Sequence, residues 1–356
     1  MLRSHLSYIA AALVTLACLF SCSKDTETKT AEGTSVTLSF YTGAMQTRAT
    51  TPGDGDVADG GGIYRDDGGN PDLIILIAEA TSGNIVKRYP GDGDLMSSSA
   101  TEAKIAFSFA DQAAGNYFVY AFGNAQGLWP MIQEGGDDTD DSQIISATDL
   151  TNPDKVPTRA VLEELRFRKL AVHKAPELIN GRMPLSAKGE LVVSAGKNGQ
   201  VRLELLRCIA KVTAEFINNT GEDLDLSNYS NRIVNICPDC GYIIKHPAVS
   251  PESASMGDLE ATVLDHNMLH EGSISRSWYV FPSMGPFTCN ISFTVNETDY
   301  YDFPDLPVTD SKRVDIPCLY RNQQLHIVTR ISKGFKVSFN FEVADWDDVT
   351  ADVQFD

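Results

Sequence analysis

Cys237-Pro238-Asp239-Cys240 is the sharpest candidate for chemistry in the chain. A CxxC pair works as a redox dithiol when it opens a helix whose N-terminus lowers the first thiol's pKa. Here RIVNI precedes it and GYIIKHP follows, both strand-like, so the pair reads as a local disulfide, Cys237 to Cys240, or as two cysteines paired elsewhere. No second CxxC completes a four-sulfur zinc site. Beyond Cys22, the cysteines are Cys208, Cys237, Cys240, Cys289 and Cys318, an odd set that leaves at least one unpaired in a monomer and does not fix the pairing. His266 and His270 in HNMLH could share one helical face, yet the glutamate of HExxH and a third ligand are missing. The stretch DGDVADGGG lacks EF-hand donor spacing and a closing glutamate. Trp129, Trp278 and Trp346 could stack on sugars, but they lie far apart beside strand-like runs, where tryptophan usually packs. The expectation is no catalytic residue, no metal ligand and no cofactor, and hence no enzyme, unless distant residues converge.

The elements around these residues tell more. The chain has 356 residues, 48 acidic against 29 basic, and a net charge of −19 spread without a basic block. That excludes bulk electrostatic attraction to nucleic acid or to an anionic bilayer. A hydrophobic fraction of 42% supports folded domains, and the length fits two. Arg3 precedes the apolar run Leu6–Phe20, which is shorter than the roughly 20 residues a spanning helix needs. With Leu19-Phe20-Ser21-Cys22 behind it, this segment resembles a bacterial lipoprotein signal. The resemblance implies that residues 1–21 are removed, that Cys22 carries acyl chains such as palmitate, and that the chain is anchored in the outer membrane. Losing Arg3 takes the net charge to −20.

Alternation marks strands at Val36–Phe40, Lys104–Phe109 and Tyr117–Phe122, and LIILIAEA (Leu73–Ala80) reads as a strand buried on both faces. Val161–Lys174 has an apolar face suited to a short helix. NNTGEDLDLSN, from Asn218, reads as a junction. Beyond it RIVNI, SWYVFPS, CNISFTV, QQLHIVTRI and FKVSFNFEV are strand-like. The expected fold class is all-β with minor helix in loops, as two β-sandwiches.

Four segments in this order resemble the Bacteroidales fimbrillin superfamily. They are the lipobox with VTLSF and Thr47-Arg48-Ala49, then Met183-Pro184-Leu185-Ser186, then Leu206-Arg207-Cys208-Ile209-Ala210-Lys211-Val212, and finally Tyr320-Arg321-Asn322-Gln323-Gln324-Leu325; Trp346 matches a late tryptophan. The resemblance implies tandem transthyretin-like, fimbrillin-type sandwiches: a lipidated leader with a removable first strand at 22–48, an N-terminal domain at 49–218 and a C-terminal domain at 219–356. It further implies cleavage between Arg48 and Ala49, loss of Val36, Leu38 and Phe40 from a groove, and refilling by a neighbour's donor strand. Phe339, Phe341, Val343, Val353 and Phe355 are the candidate donor positions. Its partners would be other fimbrial subunits joined head to tail at the cell surface, plus a host or bacterial surface ligand. The chain would be a major or accessory fimbrial subunit; the alternative is an anchor or monomeric surface lipoprotein that keeps its first strand and binds a glycan or protein.

Overall fold

Val36, Leu38 and Phe40 alternate with small polar residues, the period of a strand with one face in a core. In a computed structural model, which describes residues 33–42, 62–66, 68–124, 130–169, 183–236, 239–245, 257–263 and 266–345, that stretch is strand β1 (Ser35–Thr42). Its sheet also holds β2 (Leu73–Glu79), β3 (Ile85–Tyr89), β4 (Gly93–Ser98), β5 (Glu102–Ser108), β6 (Gly115–Gly123), β9 (Leu185–Val193) and β10 (Gly199–Arg207). The order is β3-β2-β6-β9-β10-β1-β5-β4. Strands β9 and β10 share only Leu206↔Ser186 and Arg207↔Leu185, a corner at which the sheet folds into two layers. Between the layers β3-β2-β6-β9 and β10-β1-β5-β4 lies one core, with Ile75 and Ile77 on one side and Leu38, Phe40 and Ile105 on the other.

The run in β2 is buried on both faces, as its unbroken apolar sequence requires. Leu73, Ile75 and Ile77 enter the sandwich core, while Ile74, Leu76 and Ala78 face a second cluster. That second cluster is roofed by β7 (Met131–Gln133), the five-residue helix α1 (Arg159–Glu163) and β8 (Leu165–Phe167), which contribute Met131, Leu162 and Leu165. The helix expected over Val161–Lys174 is thus corrected. It ends at Glu163, and Leu165–Phe167 is extended against β7 through Met131↔Phe167 and Gln133↔Leu165. Residues 170–174 lie outside the described residues.

A second sandwich follows. One layer is β15-β11-β20-β21, formed by β11 (Ala210–Asn219), β15 (Ser273–Val280), β20 (Gln323–Ser332) and β21 (Lys336–Asp345). The other is β13-β12-β17-β18, formed by β12 (Leu224–Ile236), β13 (Gly257–Val263), β17 (Thr288–Val295) and β18 (Asp299–Pro307), with β14 (His266–Met268) also on β12. The short strands β16 (Ser283–Met284) and β19 (Cys318–Leu319) pair beside them. Phe216, Tyr229, Phe293 and Ile327 fill the core. The two sandwiches share a device: each opening strand lies inside its sheet, antiparallel to one neighbour and parallel to the other. For β1 these neighbours are β5 and β10; for β11 they are β15 and β20.

The sheets change over between Arg207 and Ala210, ahead of the boundary expected at 218/219. Asn218 lies at the end of β11 and braces the turn that follows, where its side chain donates to Glu222 O (2.8 Å) and Leu269 O (3.1 Å) and accepts from the Thr220 hydroxyl (2.8 Å). The Gly and Asp content of the segment is therefore turn chemistry, not that of a linker. Among the described residues no helix is long and apolar enough to cross a membrane.

Candidate functional site

The geometry around β1 is that of an occupied slot. Val36, Leu38 and Phe40 are each at most 1% exposed. Burying three such side chains contributes roughly 5–9 kcal/mol, an upper figure because the unfolded chain already hides some of this surface. The backbone is paired on both sides, Val36–Thr42 parallel to Gly199–Leu205 and Ser35–Tyr41 antiparallel to Ser108–Glu102. The ends are tied as well. Thr34 Oγ1 donates to Ser194 O at 3.1 Å and accepts from the Gly196 N–H at 2.9 Å, and the Thr42 N–H donates to Thr101 O at 3.0 Å. On the outer face the Arg202 guanidinium lies 4.1 Å from the Tyr41 ring centre. Withdrawing β1 leaves two unpaired strand edges facing each other across an apolar trough, not the single free edge that loss of an edge strand would leave.

The described donor candidates, Phe339, Phe341 and Val343, lie elsewhere. Phe341 is buried in the second core, Phe339 and Val343 pack against it half-buried, and Phe339 meets Phe303 edge to face at 4.8 Å. Strand β21 pairs with β20 over ten residues and ends its sheet, so among the described residues Phe339, Phe341 and Val343 do not meet the slot within one chain. Cys22, Arg48, Ala49, Val353, Phe355, Trp129 and Trp346 lie outside the described residues.

The other sequence candidates resolve differently. Cys240 is buried and Cys237 lies outside the described residues; no described helix begins at Cys240. Cys208, Cys289 and Cys318 are free thiols; burial pushes Cys289 up to about 12 and also raises Cys208, the reverse of an activated nucleophile. His266 is in a strand, and His270 beyond it sits 3.2 Å from the Asp223 carboxylate. No group of three His, Cys, Asp or Glu side chains that could hold a metal occurs among the described residues. Trp278 packs half-buried against the second core.

What sequence reasoning missed is where the three motifs of the folded domains go. They meet at the junction of the sandwiches. Arg321 Nη1 donates to Ser186 Oγ at 2.8 Å and to Ile243 O at 3.1 Å, and Ser186 Oγ donates to Ile243 O at 2.6 Å. Arg207 Nη1 donates to Asn322 Oδ1 at 2.8 Å, the Asn322 N–H to Ile209 O at 2.9 Å, and the Cys208 N–H to Pro184 O at 2.8 Å. Burial lowers the Arg321 guanidinium's pKa, with Cys208 opposing the shift. These contacts fix one sandwich on the other.

No family model matches the sequence, and no curated protein aligns with it. Solved structures do. The tip fimbrial protein Mfa3 of Porphyromonas gingivalis, with a C-terminal truncation, superposes with a TM-score of 0.52 at 11% identity, covering 88% of this chain and 99% of its own. A candidate cell adhesion protein from Bacteroides eggerthii gives 0.52 at 14% identity, covering 90% and 98%. The fold is the one these two solved proteins share. Both sandwiches take part in the likeness, since nine-tenths of the chain is matched. The shared fold arises here from strands with little sequence in common with either neighbour, at 11% and 14% identity.

Proposed function

We propose that the chain is a structural subunit of surface fimbriae, exported as an outer-membrane lipoprotein through Cys22 and polymerised by strand exchange to support adhesion. The observation that carries this reading is the place of β1: the segment nearest the N-terminus among the described residues is an internal strand that fills the first core. Cleavage behind Arg48 would cut the covalent link between β1 and everything after residue 48. Once β1 leaves, its slot is filled by a C-terminal strand of the next subunit, and the head-to-tail contact repeats because it does not close. Arg48→Ala tests it. Wild-type protein from native cells should begin at Ala49 and run as a high-mass, heat-sensitive polymer, and the variant should stay monomeric with Cys22 lipidated. Unchanged polymer from the variant would sink the reading. The competing role, an anchor or monomeric lipoprotein binding a surface glycan or protein, draws on β1 being fully seated in its sheet, and predicts intact lipidated chains in wild-type cells as well.

A further inference from the structure

Apolar alternation alone leaves the frame of an incoming strand undecided, because a slip of two residues returns the same face to the core. The outer face of the β1 slot removes that ambiguity. Ser39 lies opposite Arg202 on β10 and opposite Lys104 on β5, so this outward position sits between two cations. Two residues on, Tyr41 lies between Glu204 and Glu102. Lys104 reaches Glu102 at 3.3 Å, whereas Arg202 stacks on Tyr41 and has no ion pair among the described residues. The neutral occupants Ser39 and Tyr41 place no charge between either pair, so Lys104 and Glu102 compensate each other along β5 while Arg202, among the described residues, faces only the Tyr41 ring.

We infer that Arg202 and Lys104, with Glu204 and Glu102 beyond them, set the register and identity of the strand that replaces β1, and that its occupant is Val349–Phe355 of a second copy of this chain. The inference rests on the strand-exchange reading and selects the segment. Laid in the direction of β1, VTADVQF puts Val349, Ala351, Val353 and Phe355 at the four inward positions held by Val36, Leu38, Phe40 and Thr42. Asp352 then falls between Arg202 and Lys104, and Gln354, an amide donor, between Glu204 and Glu102. Slipping the segment by two puts Asp356 between the two glutamates. Strand β21 fits less well in either frame. With Val337 first it puts Glu342 between the glutamates; with Phe339 first it gives Glu342 to the cations but drives Asp345 into the inward place of Thr42, which is 7% exposed. Opposite charges across strands attract and like charges repel, so the outer face discriminates where the core cannot.

The test uses full-length protein cut behind Arg48 and a labelled peptide of residues 349–355, read by fluorescence anisotropy. Asp352→Lys in the peptide should weaken binding about tenfold, the sum of two cross-strand charge pairs. Arg202→Glu with Lys104→Glu in the protein should reverse the preference. Equal binding of both peptides overturns the charge reading while leaving strand exchange standing. Tighter binding of a Val337–Val343 peptide overturns the choice of segment. No binding by any peptide, including one of residues 35–42, overturns strand exchange and this inference together. A check without cleavage guards against a misfolded variant: in the intact chain Ser39→Asp should raise the melting temperature and Ser39→Lys lower it, and equal values for both again overturn the charge reading.

Discussion

Arg321 and Ser186 are 135 residues apart in the chain and 2.8 Å apart in the fold, joined by a hydrogen bond from Nη1 to Oγ across the junction of the two sandwiches. The same guanidinium nitrogen reaches Ile243 O. One charged side chain on the approach to β20 therefore ties together the start of β9 and the stretch after β12. Charge-assisted bonds of this kind contribute about 1.5–3 kcal/mol each, and their buried acceptors are costly to strand.

Replacing Arg321 by Met should therefore lower unfolding stability by about 2–4 kcal/mol. Arg321→Lys should recover only part, since an ammonium cannot reproduce the guanidinium's planar fork. Urea titration followed by tryptophan fluorescence gives the midpoint. A separate early transition for one sandwich in Arg321→Met would show that the contact couples the domains.

The junction also shows what sequence could and could not reveal. Met183–Ser186, Arg207 and Arg321-Asn322 were visible as a recurring order of motifs, but their meeting depends on two sheets turning a corner, which no linear spacing records. The strand β2 was legible because a run apolar on both faces has few other homes. The domain boundary was not. Strand β10 gives way to β11 across only Cys208 and Ile209, while the polar stretch that looked like a junction is the end of β11, the turn 220–223 and the start of β12. Leu162 and Leu165 misled in a similar way, being spaced for one helical face yet belonging to a single helical turn and a three-residue strand. The place of β1 inside its sheet depends on pairing with residues about 160 positions away, which alternation cannot disclose.

A second prediction concerns acid. The Arg166 side chain is fully buried and grips Asp138 with two bonds, Nη1–Oδ1 at 2.8 Å and Nη2–Oδ2 at 2.9 Å. Burial alone would raise the Asp138 carboxyl, but Arg166 and the Lys169 N–H outweigh it and hold it below the ordinary value of 3.8. A carboxyl depressed by folding stabilises the native state above its unfolded pKa, and that stability is lost as pH falls through the folded value. Stability should thus decline below about pH 4, and Asp138→Asn should flatten that limb in urea midpoints measured from pH 6 to pH 2. At pH 7 Asp138→Ala should cost about 3 kcal/mol, because it removes the bidentate partner of a buried guanidinium and leaves it the carbonyls of Phe167 (3.2 Å) and Gly136 (3.3 Å) and the Glu134 carboxylate 3.4 Å from Nε.

Thiol chemistry supplies a third. Cys208 and Cys289 are wholly buried, and burial raises both pKa values. Neither should react with an aromatic disulfide reagent in native protein at pH 8 within the time needed to titrate unfolded chain. Both should react fully in urea. Rapid native labelling of Cys289, located by peptide mass, would contradict its place between the sheets of the second sandwich.

The slot of β1 makes opposite demands on one residue. Leu38 is fully buried at the middle of the strand, so Leu38→Ala should destabilise the intact chain by about 2–5 kcal/mol through lost burial and the cavity left behind. If β1 must leave before a neighbour's strand can enter, the weaker grip should also speed its release once the chain is cut behind Arg48. The variant is then expected to melt earlier before cleavage and to polymerise faster after it. Thermal unfolding of intact protein and light scattering after cleavage read the two effects separately. Slower polymerisation of a variant that still folds would mean that release of β1 does not limit assembly, and that the strand has its use in the seated state.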